Sequence, residues 1–171
     1  MSEERKPSQL AASFGAALHD AAPELRRFAR ALVGPVSTRT ADALVQTATA
    51  RVTAAERAAG EPLERAFAEL VRLNRRRVRE RGRGPEAADG AAAAEPDRRD
   101  HSIAAQISTM PLDERETLLI VSLAGYGYEA AGRILDLPIS SVVSRLMRAR
   151  ARLDGARTGG APRSGHLRVV K

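Results

Sequence analysis

The 171-residue chain contains no cysteine and no tryptophan, and aromatic residues make up only 3% of it. Without cysteine there is no disulfide framework, no thiolate metal site and no thiol nucleophile. With so few rings, a core must be built from aliphatic and alanine contacts, which suits small helical bundles better than a large enzyme core. Nowhere do eighteen apolar residues follow one another, and the opening MSEERKPSQL has no hydrophobic run. Neither a signal peptide nor a membrane span is expected, and the chain reads as cytoplasmic with no membrane insertion. The three histidines, His19, His101 and His166, are scattered, and H-E-x-x-H, P-loop and G-x-S-x-G patterns are missing. Isolated histidines of this kind are usually surface or capping residues. The sequence therefore reads as a non-enzyme with no metal or cofactor.

What is present is positive charge and helix-forming residues. Lys and Arg total 28 against 21 Asp and Glu, a net charge of +7 with a pI near 11.0, which points toward a polyanion or an acidic partner. Composition alone leaves ribosomal and membrane-surface proteins open. Alanine and arginine are both abundant and both good helix formers. The pattern predicts an all-α protein of two small helical modules, at 8–81 and 101–155. A flexible linker at 82–100, GRGPEAADGAAAAEPDRRD, joins them and a mobile tail covers 156–171.

In the first module Leu10, Phe14 and Leu18 recur every four residues, and Pro23 opens a helix bearing Leu25, Phe28, Ala29 and Leu32 that Gly34 and Pro35 end. Ala41, Leu44, Val45, Ala48 and Val52 form a second stripe. Gly60 and Pro62 separate it from a helix with Leu63, Phe67, Leu70, Val71 and Asn74. That helix ends in RLNRRRVRERGR, seven arginines and one glutamate over residues 72–83. Arginines clustered this way can contact a nucleic-acid backbone through counterion release; the blander alternative is a solvated helix end.

The second module carries the more specific signal. Tyr128 to Leu135 makes a short helix burying Ala131, Ile134 and Leu135. Asp136 tolerates a left-handed turn, and Pro138 cannot continue the first helix. Ser140 or Ser141 then caps a second helix. Along it Val142, Leu146, Ala149 and Leu153 form one stripe, while Ser141, Ser144, Arg145, Arg148 and Arg152 gather opposite. A charged stripe alone is an ordinary solvated face. Behind a short helix and a tight turn it has the form of a helix-turn-helix, whose arginines and serines suit the major groove.

Met110 to Leu153, MPLDERETLLIVSLAGYGYEAAGRILDLPISSVVSRLMRARARL, resembles region four of the bacterial extracytoplasmic-function sigma factors. The matches run from Pro111, Glu114 and Arg115 through Tyr128, Glu129, Leu135 and Pro138 to Ser144, Arg145, Leu146, Arg148, Ala149 and Arg150. Val143 stands where the family has lysine or methionine, and Gly132 where it has alanine. The first module is similar to sigma region two. PELRRFARALVG resembles that region's first helix, ADALVQTATARV its polymerase-docking segment, and LERAFAELVRLNRRR its promoter-opening helix, with Phe67 at a usual tryptophan.

The resemblance implies a promoter-specificity subunit. Its partners would be core RNA polymerase, promoter DNA and an anti-sigma factor. Ser140, Ser141, Ser144, Arg145, Arg148 and Arg152 would meet the minus-thirty-five element. Phe67, Asn74, Arg75 and Arg76 would meet the downstream element, and Asp42, Leu44, Val45 and Gln46 the polymerase. Two rival readings are a sigma-like decoy that binds an anti-sigma factor and a helix-turn-helix repressor.

Overall fold

The computed structural model describes residues 15–34, 38–55, 60–82 and 102–158. The linker expected at 82–100 lies outside these residues except for Gly82. So do Leu10, Phe14 and the tail beyond Thr158. Everything described in a regular element is helical.

A helical stretch at residues 15–20 delivers Leu18 to the core and runs into α1, Ala22–Val33. Pro23 sits in the first turn of α1, where its missing N–H costs nothing. Gly34 ends it with φ +96°, its N–H donating to Arg30 O. Helix α2, Thr38–Ala54, buries Ala41, Val45, Ala48 and Val52. Helix α3, Pro62–Arg81, buries Ala66, Phe67, Leu70, Val71 and Asn74. These three pack side by side, with α2 against both α1 and α3.

The second half opens with α4, Ile103–Thr109, capped by Ser102, whose hydroxyl accepts from Ala105 N–H. Helix α5, Leu112–Leu118, continues into a π-helical stretch, Leu119–Leu123, where Ala124 N–H reaches back to Leu119 O at 2.9 Å. Then come α6, Tyr128–Leu135, and α7, Ile139–Thr158. The expected stripe is buried as drawn: Val142, Leu146 and Ala149 are inside, and Leu153 packs against the same cluster.

The halves close on one another. A single apolar cluster joins Leu25, Phe28, Phe67 and Leu70 of the first to Leu119, Ile120, Ala131, Ile134 and Leu135 of the second. At its centre Phe67 lies edge-on to Phe28 (centroids 4.9 Å apart) and to Tyr126 (5.4 Å). Ring pairs in this geometry contribute about 0.5–1.5 kcal/mol each beyond the area they bury.

Polar contacts flank the cluster. Arg133 Nη2 meets Glu64 Oε1 at 2.7 Å across 69 residues of sequence. Arg75 Nη2 meets Glu116 Oε2 at 2.8 Å. Arg115 donates to Leu32 O at 3.1 Å, in the last turn of α1, and to Ser108 O and Met110 O beyond α4. One guanidinium thus supplies donors to carbonyls that helix ends leave unpaired.

Burial pushes the Glu116 carboxyl above its ordinary value, with the Arg75 guanidinium pulling the other way. An acid whose folded pKa is raised binds its proton more readily in the folded state. Its contribution is therefore full below the ordinary carboxyl value and is lost as pH rises through the raised one. Thermal melts from acid to neutral pH should show wild type losing stability relative to Glu116→Gln. A constant difference between the two would remove Glu116 from the pH response.

Candidate nucleic-acid and polymerase interfaces

The turn between α6 and α7 is built by backbone chemistry. Asp136 adopts φ 56°, ψ 56°, the left-handed conformation the sequence anticipated. Leu137 N–H donates to Gly132 O at 2.9 Å and Asp136 N–H to Arg133 O at 3.4 Å, a Schellman closure of α6. This return places Leu137 O only 2.8 Å from where a Cβ on Gly132 would stand. Glycine is thus demanded here by steric contact, since an alanine methyl would collide with backbone oxygen.

Helix α7 begins earlier than the serine-cap reading holds. Its first residue is Ile139, and Pro138 O accepts from both Ser141 N–H (2.9 Å) and Val142 N–H (3.1 Å). The proline carbonyl does the capping, so Ser140 and Ser141 lie inside the first turn. Ser144 Oγ donates to Ser141 O at 3.1 Å.

The outward face of α7 is rotated from the one drawn on sequence. Ser140, Ser144, Met147, Arg148, Arg150 and Ala151 are exposed, with Met147 at 66%. Arg145 is half-buried on the flank facing α5, its Nε 3.7 Å from Asp113 Oδ2. Glu114, itself buried, accepts from Arg148 Nε at 3.2 Å and Arg152 Nε at 2.6 Å. The acids of α5 therefore hold one edge of the recognition helix. Met147 was missed because an arginine-rich stretch draws attention to charge. Periodicity did mark it, opposite Leu146 and Ala149.

In the first half the proposed DNA contacts lie in different settings. Phe67 is fully buried and Asn74 is 1% exposed. Asn74 Oδ1 accepts from Arg77 Nη2 at 3.0 Å. Arg75 is engaged with Glu116 and Leu135 O. Arg76 is exposed, 2.7 Å from Glu80. Burial of α3 residues against the other half has no local signal in the sequence.

Of the proposed polymerase contacts, Val45 is core at 4% exposure and Leu44 is partly buried against the same cluster. Gln46 is exposed. Asp42 Oδ1 lies 3.9 Å from both Arg26 and Arg30. Among the described residues no group of acids and histidines is placed to hold a metal ion. No described helix is long and apolar enough to cross a membrane.

A bundle that props a capped helix outward behind a Schellman turn defines a helix-turn-helix protein. Residues 100–153 match the family model for sigma-70 region 4. The chain is 33% identical over 146 residues to the ECF RNA polymerase sigma factor EcfG of Rhodopseudomonas palustris (strain TIE-1), covering 78% of this chain and 79% of that one. It belongs to the ECF RNA polymerase sigma factors. Two solved structures share its fold. One is the sigma factor RpoE in complex with the anti-sigma factor NepR from Bartonella quintana, with TM-score 0.70, 24% identity, and 87% of this chain and 99% of that one covered. The other is CnrH in complex with the cytosolic domain of CnrY, with TM-score 0.61, 21% identity and coverage of 91% and 96%.

Two glycines test the turn against ordinary helix propensity. Gly132→Ala should lower stability by about 1–3 kcal/mol through the forced backbone contact. Gly155→Ala, with nothing within 4 Å of its Cβ, should be neutral or stabilising by up to about 1 kcal/mol. Denaturant melts giving both variants the same sign would contradict the turn geometry.

Proposed function

We propose that this ECF sigma factor directs core RNA polymerase to promoters by laying the outward face of α7 in the major groove of the upstream, minus-thirty-five element. The observation that carries the reading is that face itself. Ser140, Ser144, Met147 and Arg148 stand exposed on a helix whose opposite stripe is locked into the second half. Serine and arginine can bond base edges or phosphates, and an apolar tip such as Met147 can meet a thymine methyl. Arg145 and Arg152, held on the α5 side, are placed for the phosphate backbone at the groove's edge.

The first half docks on polymerase through the solvent side of α2, where Gln46 and Asp42 lie; Val45 serves the core behind it. Phe67, Asn74, Arg75 and Arg76 of α3 meet the downstream element. The two halves, 8–81 and 101–155, act as separate contacts joined by the chain at 82–100. Bond-making in transcription belongs to the polymerase, so the chain acts without catalysis of its own, in the cytoplasm. The relatives RpoE and CnrH were each solved with an anti-sigma partner, and this chain is regulated by a partner of that kind.

Run-off transcription with core enzyme on genomic fragments tests the whole reading; no transcript dependent on this chain would refute it. Arg148→Ala should weaken upstream-duplex binding by about 1–3 kcal/mol and relax preference at one position, with the melt little changed. Gln46→Glu should lower affinity for core polymerase while shifting stability by less than about 0.5 kcal/mol. Val45→Ala should instead cost about 2 kcal/mol of stability. Normal polymerase binding by Gln46→Glu would move the docking surface off α2.

A further inference from the structure

We propose that the seam between the halves is a latch that discriminates between forms of DNA: closed, it hides the strand-capturing residues of α3 and leaves the duplex-reading face of α7 open. The inference rests on the assignment of Phe67, Asn74, Arg75 and α7 given under Proposed function, and adds that the two contacts cannot be made in the same state.

The asymmetry is geometric. The Phe67 ring packs edge-on against Tyr126 of the second half and has no exposed surface. Arg75 donates through Nε to Glu116 Oε2 at 2.9 Å and through Nη1 toward Leu135 O at 3.5 Å, both across the seam. Asn74 lies between them in sequence and is buried. A base cannot stack on Phe67, nor a phosphate pair with Arg75, until the second half moves away. On the far side, Ser140, Ser144 and Met147 stay exposed with the seam shut.

The contacts closing the seam are of a kind that can be broken. The Arg133–Glu64 pair stands largely in water, with side-chain exposures of 61% and 19%, and such pairs hold weakly. Asn74 Nδ2 and Glu116 Oε1 are buried without a hydrogen-bond partner, so closing leaves polar groups unsatisfied that opening gives back to solvent. Gly82 and Ser102 are twenty residue steps apart in sequence, roughly 65 Å of chain when drawn out. The halves can therefore part without either unfolding. In this scheme the closed chain reads an upstream duplex, and capture of a separated strand waits on opening.

Charge reversal at the solvent-facing pair is the test. Arg133→Glu sets two carboxylates against each other across the seam, and the exchange Glu64→Arg/Arg133→Glu restores attraction with the wild-type net charge. Small-angle scattering on the full chain should show Arg133→Glu expanded and the exchange compact. Two probes follow: a duplex selected by the wild-type chain from a random pool, and single-stranded DNA of mixed sequence. Arg133→Glu should bind the duplex within about three-fold of wild type and the single strand at least about ten-fold more tightly, and the exchange should reverse the gain. Because Arg133→Glu lowers the net charge, the gain cannot come from general attraction to phosphate. An expanded variant that binds single strands no better than wild type overturns the proposal. A variant that stays compact overturns it equally. If the wild-type chain selects no duplex at all, it is the DNA-reading assignment of α7 that fails, while scattering and the single-strand probe still decide the seam.

Discussion

The closed arrangement depends on a column of three rings. In a chain with three phenylalanines, two tyrosines and no tryptophan, Phe28, Phe67 and Tyr126 stack edge-to-face from α1 through α3 into the loop before α6. Aliphatic and alanine contacts fill the rest of the core, each smaller and less directional. Phe67 touches both halves at once and fixes where the second half sits. The π-helical stretch ends just before Tyr126, whose N–H reaches Ile120 O at 3.2 Å. A tighter helix end would carry the phenol to another position. The widened turn is thus part of how the two halves find their register.

Charge is organised around one short helix. The acids of α5 point to different parts of the molecule: Asp113 toward Arg145, Glu114 to Arg148 and Arg152, and Glu116 to Arg75. Asp113 and Glu114 lie in the first turn of α5, where its dipole also favours negative charge. The same seven residues therefore set the rotation of the recognition helix and hold the seam to α3. The net positive charge of the chain overstates what α7 has available for DNA. Much of its basic edge is already paired with Glu114.

The helices and their breaks were legible because they are written in local chemistry. Pro23, Gly34, Gly60 and Pro62 bracket elements where predicted, and Asp136 makes the turn it was expected to make. The buried stripe of α7 was also readable, since four apolar residues at helical spacing have few alternatives. Boundaries depending on a carbonyl rather than a side chain were not legible, as with Pro138 capping α7 in place of a serine. Contacts across the seam were not legible either. Glu64 and Arg133 are 69 residues apart, and nothing near either one names the other. For the site, the region-four pattern located the helix correctly but not its rotation, which the α5 acids determine.

The scarcity of aromatics has an optical consequence. With no tryptophan, the ultraviolet emission of this protein comes from Tyr126 and Tyr128 alone. One is wedged against Phe67 at the seam, and burial pushes its hydroxyl ionisation above the ordinary phenol value; the other is 44% exposed. The two phenols differ in surroundings, and only one of them senses the partner half. Alkaline difference absorbance would separate them, and the buried component would drift toward ordinary phenol behaviour as the halves part. The molecule carries a native chromophore for its own conformation, and no dye need be attached to follow it.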